Sequence, residues 1–159
     1  MADVTNIGGR VAENYEHLFI TEMKDCRDDM VNEGAAAGKP LPPNLSAPWA
    51  LMRATDVPEA TAYITTSWVH EVDHEVEWVE EHDHTYDEVL MFLGNDPNDP
   101  NALGAEVYLT IEGTEHLITT TSSVFIPKGT KHCPLGFKSV TTPFRFIAVA
   151  MSGTGHYRT

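Results

Sequence analysis

Three histidines and one glutamate carry the chemistry visible in this sequence. His82, His84 and Glu88 lie in the run Glu81-His82-Asp83-His84-Thr85-Tyr86-Asp87-Glu88, and His132 closes the run Pro127-Lys128-Gly129-Thr130-Lys131-His132. Three imidazoles and a carboxylate that converge are enough to hold a divalent transition metal and leave positions open for water or substrate. Residues 82, 84 and 88 share even parity. Alternate side chains of an extended chain point to one face, so all three face the same way on a strand. On a helix, 84 and 88 would align while 82 and 84 splay apart. The segment Glu88-Val89-Leu90-Met91-Phe92-Leu93, closed by Gly94-Asn95-Asp96-Pro97, reads as strand and turn. The strand reading is thus also the one that builds the better site, with Val89, Met91 and Leu93 on the opposite face.

The alternation extends upstream. Odd positions Glu71, Asp73, Glu75, Glu77, Glu81 and Asp83 are acidic, whereas even positions Val72, His74, Val76, Trp78, His82 and His84 are apolar or imidazole. Period-two patterning of this kind predicts a solvated acidic face and an interior one. Val79 and Glu80 interrupt it and mark a candidate bulge. The expected inward row runs Trp78, His82, His84, Glu88. Tyr86 and His74 share its parity and are the candidate general acid–base groups.

His82-x-His84-x3-Glu88 and Pro127-x-Gly129-x2-His132 resemble the two motifs of the cupin superfamily. Gly94 follows Glu88 after five residues where the first motif has six, no glycine precedes His82 in the usual place, and Leu135-Gly136 replaces the asparagine region of the second. The resemblance covers about residues 60–151. It implies an all-β, double-stranded β-helix (jelly-roll) barrel, a metal on His82, His84, Glu88 and His132, and a homodimer. Its activities would be those of dioxygenases, isomerases and epimerases, lyases, decarboxylases, or sugar and effector binders.

The elements that must position these residues are strands. Residues 62–69, 105–111, 116–121, 123–127 and 144–151 are rich in β-branched and aromatic side chains and are separated by turns such as Glu112-Gly113-Thr114. Short strands at close spacing indicate an antiparallel sandwich or barrel. Residues 1–59 form an N-terminal extension that packs on or flanks the barrel of residues 60–159. Within the extension, residues 1–14 are expected to be poorly ordered. Residues 15–30 fit a helical stripe or an edge strand, and residues 33–48 read as a loop. The loop from Gly94 to Gly104 reads as a surface loop, with the pocket mouth as the alternative. Trp78 and Phe92 read as core. Arg145, between Phe144 and Phe146, is either outward and solvated or buried against an anion.

Composition narrows the partners. The chain has 159 residues, 10 basic against 24 acidic, and a net charge of −14. Such a surface repels nucleic acid and anionic membranes. Two cysteines, Cys26 and Cys133, give no disulfide framework and point to a reducing compartment. Cys133 follows a predicted ligand directly, so a regular strand would turn it away from the metal. The N-terminus lacks the basic and apolar regions of a signal peptide and no apolar run reaches transmembrane length, so a cytoplasmic location is expected. No Ser-His-Asp, Cys-His or phosphate-loop signature is present. The expectation is a metal-dependent enzyme of dioxygenase, isomerase or lyase type acting on a small oxygen-rich molecule. Its metal would be iron, manganese, nickel, zinc, cobalt or copper. The alternative is a metal-dependent small-molecule binding protein.

Overall fold

The computed structural model describes residues 14–30 and 39–157. The expectations placed on residues 1–13 and 31–38 lie outside the described residues. Among the described residues, ten strands run in chain order: β1 (Lys24–Asp25), β2 (Trp49–Met52), β3 (Tyr63–Val69), β4 (Val76–Val79), β5 (Asp87–Leu93), β6 (Ala102–Ile111), β7 (Thr114–Thr120), β8 (Ser122–Ile126), β9 (His132–Val140) and β10 (Phe144–Met151). They build two antiparallel sheets, one in the order β1-β2-β3-β10-β5-β8 and one in the order β4-β9-β6-β7. This is the all-β jelly roll expected.

Alternation explains which faces meet. On β5, Glu88, Leu90 and Phe92 are buried while the odd positions between them are half-buried. On β10, Phe144 and Phe146 face the same core, where they meet Phe92 and, from β9, Phe137. Fully burying a side chain of this size stabilises by roughly 1.5–3 kcal/mol. A second, smaller cluster joins Cys26, Ala50, Tyr63, Tyr86 and Ala150 beneath the N-terminal segments.

Several sequence expectations change. Residues 15–30 form neither a full helix nor a long strand. Short 3-10 turns at Glu16–Leu18 and Arg27–Asp29 flank the two-residue β1, which pairs with β2 and so widens the larger sheet. The acidic residues at 71, 73, 75, 77, 81 and 83 are all exposed, as the alternation requires, but only Val76–Val79 forms a strand. The ladder of β4 slips between Glu77 and Val79, close to the expected bulge. β9 has no counterpart among the expected strands, because Pro134 and Gly136 disguise it. The loop before β6 is exposed from Asn95 to Asn101 and held by Asx-type bonds, Asn98 N–H to Asp96 Oδ1 and Asn101 N–H to Asp99 Oδ1.

Candidate metal centre

The two motif segments are stitched together by backbone hydrogen bonds. His82 and His132 form an isolated bridge, His82 N–H to the His132 carbonyl at 3.0 Å and His132 N–H to the His82 carbonyl at 2.9 Å. Gly129 N–H donates to the His84 carbonyl at 2.7 Å, and Lys128 N–H to Asp87 Oδ1 at 2.8 Å. Gly129 takes a φ of +76°, the left-handed turn a side chain would resist. These contacts hold the imidazoles of one segment against that of the other.

Glu88 comes from β5 of the larger sheet and His132 from β9 of the smaller, so the site straddles the sandwich. His132 Nε2 lies 3.2 Å and His84 Nε2 3.6 Å from the same Glu88 Oε2. His132 Nε2 is buried and makes no aligned hydrogen bond. The tautomers of two rings are set from behind. His82 Nδ1–H donates to the Glu80 carbonyl at 2.7 Å and His132 Nδ1–H to the Thr130 carbonyl at 2.9 Å, leaving Nε2 of each ring as the nitrogen a metal could take. Burial would raise the Glu88 carboxyl. As cations, the two imidazoles, His132 foremost and then His84, outweigh burial and hold it at about 2. A buried carboxylate beside imidazole nitrogens whose protons a cation can replace has the donor chemistry of a divalent metal site, so these residues fit such an ion.

The ligand-capable atoms of His84, Glu88 and His132 lie within 4.8 Å of one another. His82 does not join that compact set. Its donor atom instead groups with those of His132 and Cys133, again within 4.8 Å. The expectation that Cys133 turns away is therefore corrected. The ladder between β9 and β6 slips between Leu109 and Ile111, and Cys133 takes a φ of +71°, so it is buried and lines the same cleft. The slip lets two consecutive residues share one face, which a regular strand forbids.

Neither candidate acid–base group reaches the cleft as expected. His74 is corrected: it lies in a bend before β4, outside any ladder, and its exposed ring pairs with Asp73. Tyr86 does face inward, but its hydroxyl donates to the Tyr157 carbonyl at 2.7 Å and its ring stacks on His84 at 4.8 Å. It packs against the site. Arg145 takes the outer face, with its guanidinium over Trp68 and Nε donating to Thr66 Oγ1.

The cleft has an empty volume of about 880 Å³, solvent mouth included. Leu90, Phe146 and Trp78 supply apolar wall, Thr65 and Ser67 supply hydroxyls from β3, and Arg27 stands in the lining, paired with Asp25. Trp78 is both core and wall. Parity on β3 signals Thr65 and Ser67. Nothing local signals Arg27 or Tyr157, which reach the cleft through chain folding alone.

Among the described residues, no helix is long and apolar enough to cross a membrane. No protein-family model matches the sequence, and no curated protein matches it. Solved structures with a partial likeness to this chain are known. They include a conserved double-stranded β-helix domain protein from Klebsiella pneumoniae, at 13% identity, covering 74% of this chain and 84% of that one, TM-score 0.46. A cupin superfamily protein from Desulfitobacterium hafniense is 11% identical, covering 70% and 81%, TM-score 0.45. A cupin protein from Bacteroides fragilis is 13% identical, covering 64% and 74%, TM-score 0.41. Two antiparallel sheets in this strand order bring both motif segments together in the cleft between them.

Proposed function

We propose that this chain is a metal-dependent cupin enzyme acting on a small, oxygen-bearing organic molecule, with His82, His84, Glu88 and His132 holding one divalent transition metal. The observation that carries the reading is the approach of two buried imidazole nitrogens to one oxygen of a buried, ionised carboxylate. Burying a carboxylate is costly unless it is paired or bound to a cation, and a purely structural barrel has no need of one. A metal held there supplies Lewis-acid polarisation of a bound oxygen or activation of water. The residues around it do the rest. Leu90, Phe146 and Trp78 exclude water from one side of the substrate, Thr65 and Ser67 offer hydroxyls, and Arg27 offers a cation. A compact molecule with an apolar body and polar oxygens suits such walls. A reaction of dioxygenase, isomerase or lyase type is within this chemistry.

A second reading is a non-catalytic metal-dependent binding protein. It is favoured by two observations: His74 lies outside the cleft, and the Tyr86 hydroxyl is already engaged by the Tyr157 carbonyl.

Elemental analysis of protein purified without added metal, in wild type and in His132→Ala, tests the centre. About one equivalent in the wild type and none in the variant is expected. Absence of metal from both, with no uptake on titration, refutes it. Turnover of a screened oxygen-bearing compound, lost in His84→Ala while the fold survives, separates the enzyme from the binder. Saturable binding without product selects the binder.

A further inference from the structure

The cleft presents two donor sets, His84-Glu88-His132 and His82-His132-Cys133, and they share His132. Its Nδ1–H is committed to the Thr130 carbonyl, so Nε2 is the one ring nitrogen left for an ion. One imidazole nitrogen serves one ion. The second set therefore describes further donors around the same ion, and its third member is a sulfur.

We propose that Cys133 supplies a thiolate to the ion held by His132, so that the centre mixes nitrogen, oxygen and sulfur donors. The proposal rests on the metal reading above and goes beyond its nitrogen and carboxylate ligands. Two observations support it independently. The Cys133 sulfur groups with the donor atoms of His82 and His132 within 4.8 Å. His132, a member of the same group, has a side chain only 1% exposed, and its Nε2 has no aligned hydrogen bond. The ladder slip and the positive φ at Cys133 are what aim the sulfur inward. On binding, the Cys133 S–H bond breaks, its proton passes to solvent, and the sulfur lone pair forms the bond to the ion. A thiolate among imidazoles favours zinc, copper(I), cobalt or iron over magnesium, calcium or manganese. Cys26 is an internal control, since its Sγ donates to the Pro48 carbonyl in the other cluster.

Titration of metal-free protein with cobalt(II), followed by absorption, tests this. The expected wild-type spectrum combines visible ligand-field bands with a sulfur-to-cobalt charge-transfer band in the near ultraviolet, both saturating at about one equivalent. Cys133→Ser should keep the ligand-field bands, lose the charge-transfer band and bind cobalt at least roughly tenfold more weakly, since even partners outside the coordination sphere cost that much. Cys26→Ser should keep both bands. Ligand-field bands without charge transfer in the wild type would overturn the Cys133 assignment and leave the metal centre standing. No cobalt bands at all would overturn both. If circular dichroism shows that Cys133→Ser does not fold, the Cys26→Ser spectrum decides. The chain has two cysteines, so a charge-transfer band retained there assigns the sulfur to Cys133, and its loss overturns the proposal.

Discussion

The two strands that carry the site are built in opposite ways. β5 is regular. It pairs without interruption to β10 and to β8, and its alternation sends Glu88, Leu90 and Phe92 inward one after another. β9 is broken. Its ladders slip against both β4 and β6, and His132 and Cys133 are buried side by side. A regular strand offers a buried site one donor every second residue, held in register by its neighbours. A slipped strand offers two in succession and gives up ladder hydrogen bonds to do so. This protein uses both: a rigid carboxylate from one sheet and a dense cluster of donors from the other.

Three substitutions and a control can break or sharpen that contrast. Phe92→Ala removes a fully buried ring from the regular strand and should cost about 3–5 kcal/mol in denaturant unfolding. A cost under about 1 kcal/mol would show that β5 is not the rigid half. Gly136→Ala should destabilise by about 1–3 kcal/mol, because a Cβ there collides with the Tyr108 side chain and the Val76 carbonyl. Half of that obstacle is backbone, so β4 and β9 must part to admit it. If thermal unfolding does not change, β9 is looser than drawn. Gly129→Ala meets no atom within 4 Å, yet its φ of +76° should still cost about 1 kcal/mol. Here the loss is conformational alone, and equal stability would mean that the loop can rearrange.

The smallest effect on the site should come from Asp56→Asn, which lies away from both strands. Arg53 Nε and Lys24 Nζ both donate to the Asp56 carboxylate and hold it below the usual aspartate range, Arg53 foremost. A depressed folded-state pKa contributes stability above the ordinary value of about 3.9, lost as pH falls toward the folded value. The variant should therefore flatten the acid limb of the stability–pH profile while metal content stays unchanged. A loss of metal in Asp56→Asn would show that the extension and the centre are coupled.

How much of this was legible before folding depended on whether a local rule governed the residue. Parity placed Glu88 and Tyr86 inward and the acidic row outward, since a strand face repeats every second residue. Parity failed at His74, where the chain bends before β4, and at Cys133, where a slip reverses the side-chain direction. Arg145 resolved to the outer face only once Trp68 was seen beneath it.

Spacing and alternation were sufficient for an all-β antiparallel architecture and for the alternating strand β5 with Glu88 inward, whereas the jelly-roll form was implied only by the motif resemblance. The first two follow from short-range geometry that the chain cannot avoid once it is extended. Tertiary structure alone decided that His82 stands with Cys133, that Tyr86 packs on His84, and that Arg27 from the N-terminal segment lines the cleft. Each of these depends on where two distant segments meet. That meeting is set by packing of whole sheets and by slips in their ladders, and no window of sequence contains both partners.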